Sequence, residues 1–337
     1  MAKYTIANVD TDPATNSQNV TITAHTPVRE KTAGVRLPGV PRVLSIVVLG
    51  LAALSCAAFA ARVGSNAIDE YLRSDTYMLE RGYEVMRDGG QPSTFGTEVT
   101  IQRTYVTGSP ADPPILLFHE LPGLRPEDVE LGRELGHQFR VYVPLLFGVA
   151  GQDSSRLGYA EACSANVFSC ERTKTPHRIL HGLRELVKRV CRVDCGIVGM
   201  CLTGSLPLSL MPADDHIVSI VIAQPSLPFF HPVWPFRPRV DIAEADLDAA
   251  IDAGIRRSAS IYLTRYRHDV ISSHRTFTFL ASRIGAKVDG THVRFKAVEI
   301  PGHGHSTLVR DGGHALDSER EFSELVSALN AGLRRAS

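Results

Sequence analysis

Three residue types that together can run nucleophilic acyl chemistry stand just beyond three apolar stretches of this chain. Cys201 follows Gly196-Ile197-Val198-Gly199-Met200 and leads into Leu202-Thr203-Gly204. Asp269 closes the run Arg265-Tyr266-Arg267-His268-Asp269, and His305 sits in Pro301-Gly302-His303-Gly304-His305-Ser306. A thiol attacks a carbonyl as thiolate, so it needs a histidine to take or hold its proton. The histidine in turn needs a carboxylate to fix its tautomer and orientation. Each residue has an ordinary alternative. A free cysteine is commonly a small buried hydrophobe, an aspartate after a strand commonly caps a helix, and a histidine in a glycine loop commonly lies on the surface. The joint order of nucleophile, acid and histidine is what carries chemistry. His303 competes with His305 for the base, and its place in the motif favours His305.

The elements must bring these residues together. A continuous apolar run at 115–118 and mostly apolar stretches at 141–143, 197–200, 217–223, 261–264 and 295–300 read as strands. A further strand is read at 97–106. Helices are read at 126–138, 176–190, 202–211, 274–284 and 317–333, and another at 65–88, stopped by Gly89-Gly90-Gln91-Pro92. Alternation of this kind predicts an α/β protein, a mostly parallel sheet with helices on both faces and its chemistry at the carboxyl ends of the strands. A strand turning sharply into a helix at Cys201 pushes the thiol out toward amide N–H groups and the helix dipole. The order Cys, Asp, His is that of an α/β-hydrolase. In that fold the turn after the first long apolar strand, Phe118-His119-Glu120-Leu121-Pro122-Gly123-Leu124, supplies one oxyanion amide, from Leu121, beside that of Leu202.

At 337 residues, the chain is long enough for a large core plus appendages. Its 36 basic and 36 acidic residues balance, which speaks against a nucleic-acid partner, since that needs a basic face. Residues 1–41 read as a disordered tail. From Val43 to Ala61 no residue is charged; as a helix this run spans about 28 Å, close to a bilayer's hydrocarbon thickness. Arg29, Lys31, Arg36 and Arg42 precede it, so a transmembrane helix at 42–62 leaves the N-terminus cytoplasmic and the rest of the chain extracytoplasmic. A cleaved leader, given Ala58-Phe59-Ala60, and a buried helix are the alternatives. The expected organisation is then a tail (1–41), an anchor (42–62), a helical linker (63–95) and an α/β domain (96–337). Cys163 with Cys170, and Cys191 with Cys195, allow one or two bridges in a domain outside the cytoplasm. The aromatic segment 228–239 (Phe229, Phe230, Trp234, Phe236) is either a packed connection or a lip over the site.

Over roughly residues 97–335 the chain resembles the dienelactone hydrolase family. The matching pieces are His119-Glu120-x-x-Gly123-Leu124, Gly199-Met200-Cys201-Leu202-x-Gly204, Asp269 and Gly302-His303-Gly304-His305. The resemblance implies an α/β-hydrolase fold and a Cys201–His305–Asp269 triad. It implies an oxyanion hole from the Leu121 and Leu202 amides, and a Glu120 that holds the thiol proton until substrate displaces it. The implied reaction is hydrolysis of a small ester or lactone through a thioester acyl-enzyme, with no metal and no organic cofactor. Acyl transfer by the same triad, or a tethered non-catalytic binding domain, are the rival functions. The chain departs from the family in three ways. Thr203 replaces a glycine, the apolar run 43–61 is foreign to the soluble enzymes, and Val309 stands where a carboxylate-gripping arginine is usual. Arg310, next to Val309, and His119 are the candidate substrate-binding residues.

Overall fold

The computed structural model describes residues 5–11, 18–23, 67–87, 103–121, 123–152, 179–226, 242, 244–309 and 315–333. The tail departs from the featureless reading. Strands β1 (Thr5–Thr11) and β2 (Gln18–Thr23) pair antiparallel, in keeping with their β-branched Thr, Ile and Val. The predicted membrane helix at 42–62 lies outside the described residues, as do Cys163, Cys170, Arg310 and the segment 228–239. Among the described residues no helix is long and apolar enough to cross a membrane.

The remaining strands form one eight-stranded sheet. They are β3 (Glu84–Arg87), β4 (Arg103–Thr107), β5 (Pro114–Phe118), β6 (Arg140–Pro144), β7 (Cys195–Met200), β8 (Ile217–Ala223), β9 (Ser260–Tyr266) and β10 (Arg294–Ile300). Their order is β10-β9-β8-β7-β5-β6-β4-β3. Only β4 runs against the others in this sheet. Helices α1 (Ala67–Leu79), α2 (Pro126–Leu135), α3 (Ile179–Val190), α4 (Leu206–Leu210), α5 (Glu244–Arg257), α6 (His274–Val288) and α7 (Ala315–Leu333) cover it. An eight-stranded sheet with an antiparallel second strand and a crossover between its third and fourth defines the α/β-hydrolase fold.

Strands β5, β7, β8 and β9 are buried along their whole length, so both faces of each must be apolar. Leu116, Phe118, Ile197, Ile220 and Leu263 point to one face with α3, α5 and α6. Ile115, Leu117, Val198, Val221 and Tyr262 point to the other with α2 and α7. The chain order reverses between β5 and β7, which opens a crevice at their carboxyl ends.

Two boundaries differ from the sequence reading. The helix expected over 65–88 ends at Leu79; Gly82, at φ 80°, turns the chain and β3 joins the sheet edge. The linker is therefore part of the α/β unit. The helix expected over 202–211 is broken into a 3-10 turn (Cys201–Thr203), the short α4 and a second 3-10 turn (Met211–Ala213). Pro207 opens α4 and Pro212 lies in the second turn, where neither can continue a hydrogen-bonded helix inward. Helix α5 has no counterpart in the sequence reading. A disulfide joins Cys191, just after α3, to Cys195 at the start of β7.

Candidate active site

Among the described residues, Cys201 is one of three non-glycines with a left-handed backbone, at φ 54°. A non-glycine residue holds that conformation at a cost of roughly 1–2 kcal/mol, which persists only where the surroundings over-determine it. Here they do. β7 ends at Met200, the 3-10 turn starts at Cys201, and α4 follows within five residues. A Cβ on Gly199 would lie 2.5 Å from the Thr203 carbonyl oxygen and 2.7 Å from Pro207 Cδ, so only glycine admits so tight a bend.

Thr203, unexpected at its position by the resemblance, is fully buried and ties this bend to β5. Its Oγ1 accepts from the Met200 N–H at 3.0 Å. The same hydroxyl lies within donating distance of three carbonyl oxygens, those of Met200 (2.8 Å), His119 (3.1 Å) and Phe118 (3.2 Å). The bend is thus fastened to β5 by a side chain.

Asp269 and His305 arrive from β9 and β10. Asp269 Oδ1 accepts from the N–H groups of Ile271 (2.7 Å) and Ser272 (2.9 Å), which leaves Oδ2 for His305 Nδ1 at 2.8 Å. The acid loop is shaped from beneath by Arg265, fully buried, whose Nε donates to the Ser272 carbonyl (2.8 Å) and Nη2 to the Asp269 carbonyl (2.9 Å). Its Nη1 pairs with Glu299. The His305 loop turns at Gly304, whose φ of 148° is open to glycine and whose missing Cβ would touch the Tyr266 ring at 3.0 Å. Thr307 anchors the loop's far side through two bonds to Gln224 Oε1. His303 points elsewhere: it is exposed and stacks on His268 with ring centroids 4.6 Å apart.

A ring nitrogen of His305, Cys201 Sγ and a Glu120 carboxylate oxygen all lie within 4.8 Å of one another. His305 Nε2 is buried, makes no hydrogen bond, and is 3.9 Å from Glu120 Oε2. Burial alone would lower the affinity of His305 for a proton. The Cys201 sulfur, the bond to Asp269 and the Glu120 charge outweigh it and raise its pKa well above 6.5. Glu120 is itself buried and fixed through Oε1 by Ser306 Oγ (2.6 Å) and by Arg125. Arg125 also reaches Asp128 Oδ2 at 3.3 Å. Burial first, and the neighbouring Glu120 charge second, lift Asp128 to about 8. One guanidinium therefore serves two buried carboxyl groups.

His119, a candidate substrate ligand, is fully buried with both nitrogens engaged. Its Nε2 accepts from the Leu146 N–H (3.0 Å) and its Nδ1 donates to the Glu120 carbonyl (3.1 Å). No ring nitrogen is left for a substrate; the residue braces the Glu120–Leu121 turn. Desolvation lowers its pKa to about 4. Leu121 and Leu202 follow Glu120 and Cys201 at the ends of the adjacent strands β5 and β7. Leu202 occupies the start of the 3-10 turn, where N–H groups have no partner within the helix. Val309 is buried in the core, so its side chain offers no polar group to a substrate.

Two residues at the site escaped the sequence reading. Ser226, three residues beyond β8, places Oγ 3.2 Å from Cys201 Sγ and donates its N–H to the Cys201 carbonyl at 3.0 Å. Its only signal in the sequence is its place after an apolar strand. Arg125 signals itself only as a cation five residues after Glu120.

No model of a known protein family matches the chain, and no curated protein is similar to it. Solved structures share its fold at low identity. An α/β hydrolase from Novosphingobium aromaticivorans is 16% identical, with 74% of this chain and 98% of that one covered, at a TM-score of 0.46. The carboxylesterase CesB of Bacillus subtilis is 14% identical, covering 80% and 99%, at 0.47. The naproxen esterase of the same organism is 14% identical, covering 76% and 98%, at 0.44.

Proposed function

We propose that this protein is a cysteine-dependent hydrolase of carboxylic esters or lactones. One observation carries the reading: a cysteine held at a left-handed strand-to-helix bend, facing a histidine whose far nitrogen is 2.8 Å from a buried aspartate. The proton of the Cys201 thiol passes to His305, and Asp269 on one side and Glu120 on the other favour the resulting imidazolium. The thiolate adds to the substrate carbonyl, and the N–H groups of Leu121 and Leu202 receive the oxyanion. Collapse breaks the C–O bond, His305 Nε2 protonates the departing alkoxide, and a Cys201 thioester remains. Neutral His305 then takes a proton from water, hydroxide adds to the thioester, and the thiolate leaves as the acid is released. For a lactone the alkoxide stays attached and the product is a hydroxy acid. The residues resemble those of dienelactone hydrolases, but the buried Val309 argues for a substrate other than a dienelactone.

We also propose that residues 43–61 anchor the protein, with the catalytic domain outside the cytoplasm. The uncharged run, its basic N-terminal flank and the Cys191–Cys195 bridge support this. Retention in the membrane fraction through a high-salt wash is expected, and release by salt would overturn it.

The decisive assay is turnover of a panel of short p-nitrophenyl esters and lactones by the full chain and its Cys201→Ala variant. Loss of turnover in the variant is expected. Equal rates would remove Cys201 as nucleophile, and inactivity of both would favour a binding domain.

A further inference from the structure

We propose that Cys201, His305 and Glu120 also form a reversible inhibitory site for a thiophilic divalent cation such as Zn2+. The inference concerns the same side chains as the proposed triad, and so rests on that arrangement, but it does not require the protein to hydrolyse anything.

Zinc is held by sulfur, imidazole nitrogen and carboxylate oxygen at about 2.0–2.3 Å, in tetrahedral geometry. One donor of each kind converges here, all within 4.8 Å of one another, so inward movement of about 1 Å per side chain brings them to bonding distance. The nitrogen that would ligate, His305 Nε2, is buried and makes no hydrogen bond.

The surroundings are those of a metal site. A ligating histidine is normally oriented by a carboxylate on its other nitrogen; Asp269 does this for His305 Nδ1 at 2.8 Å. A ligating carboxylate is normally held by hydrogen bonds in turn; Ser306 and Arg125 hold Glu120 Oε1 and leave Oε2 facing the histidine. Ser226 Oγ steadies the sulfur. Three protein ligands leave the fourth position of the cation for water. Binding takes the thiolate and the neutral imidazole as ligands and releases their proton to buffer. The nucleophile and the base are both consumed by the ion, so a hydrolase with this site is switched off reversibly.

The test titrates Co2+, a spectroscopic stand-in for Zn2+, into the full chain. A thiolate-to-cobalt charge-transfer band and the visible bands of a tetrahedral site, saturating at one equivalent and erased by Zn2+, are expected. Cys201→Ser should abolish the charge-transfer band. Asp269→Asn should weaken binding roughly 10- to 100-fold, the usual effect of losing an orienting partner. Zn2+ should also protect Cys201 from alkylation by iodoacetamide in the unmodified protein, a readout that needs no variant to fold. The exposed His268–His303 pair is the competing site, and a His268→Ala, His303→Ala double variant should retain the signal. A wild-type protein without the band, a band that survives in Cys201→Ser, or alkylation unchanged by Zn2+ would overturn the proposal. The two readings fail separately. Cobalt binding without ester turnover would leave the metal site standing and sink the hydrolase, whereas Cys201-dependent turnover indifferent to Zn2+ would do the reverse.

Discussion

At the residue scale, the proposed mechanism makes His305 the group that sets the pH behaviour. Its pKa is raised in the folded protein, so the stability it contributes is complete below the unfolded value near 6.5 and is lost as pH rises through the folded one. Hydrolysis of alkyl esters, which need the imidazolium proton for the leaving alkoxide, should therefore persist well above pH 6.5. Its alkaline limb should move to lower pH in Asp269→Asn, and p-nitrophenyl esters, with their better leaving group, should show the shift less. A limb that stays put in the variant would remove Asp269 from the base. His119 behaves in the opposite sense. Depressed to about 4, it contributes stability above 6.5 that falls away as pH drops toward 4, by roughly 3 kcal/mol in all. Urea unfolding between pH 4 and 6.5 should show a shallower pH dependence in His119→Gln than in the wild type. Thr203 is a third case. Thr203→Val leaves the buried Met200 N–H without its acceptor and should cost roughly 1–3 kcal/mol, while Thr203→Ser should be nearly neutral. The convergence of Cys201, Asp269 and His305 was legible at this scale because each follows a strand. The roles of Thr203 and Ser226 were not, because the partners they meet lie 85 and 25 residues away.

At the element scale, β5, β7, β8 and β9 could be read from their apolar stretches because burial on both faces leaves few polar positions. Strand β3 could not, since four edge residues with an exposed–intermediate pattern carry no such signal and continue a helical sequence. Helix α5 carries Leu247, Ile251 and Ile255 at four-residue spacing, but small alanines and aspartates between them make its buried face less conspicuous in the sequence. The acid loop shows how an element holds a site without touching substrate. Arg265 projects from β9 into that loop and pairs with Glu299 on β10. Replacing it with Met strips the loop's carbonyls of their donor and leaves Glu299 with His274 as its partner; breaking a buried pair costs at most roughly 3–5 kcal/mol. Arg265→Met should lower the melting temperature and reduce kcat more than it changes KM. An unaltered kcat in folded variant would show that Asp269 needs no such support.

At the scale of the whole molecule, the crevice lies where the strand order reverses, between β5 and β7. The fold class was legible from the alternation of elements, and with it the face on which chemistry collects. The antiparallel course of β4 and the inclusion of α1 and β3 in the domain were not, since strand pairing is a long-range property that periodicity does not encode. The Cys191–Cys195 bridge fastens α3 to the innermost strand. A loop this short removes little disorder from the unfolded chain, and its reduction should lower stability by about 2 kcal/mol, measurable by unfolding Cys191→Ala, Cys195→Ala against the wild type.

Strand β7 begins at an oxidised sulfur and ends against a reduced one. Six residues of extended chain hold Cys195 about 20 Å from Cys201, and thiol–disulfide exchange requires a thiolate to meet a disulfide sulfur directly. The two redox states therefore coexist in one polypeptide without scrambling. If Cys201 is oxidised to a sulfenate, a mild thiol can restore it while leaving the buried bridge intact, because the length of a single strand keeps the two sulfur sites apart.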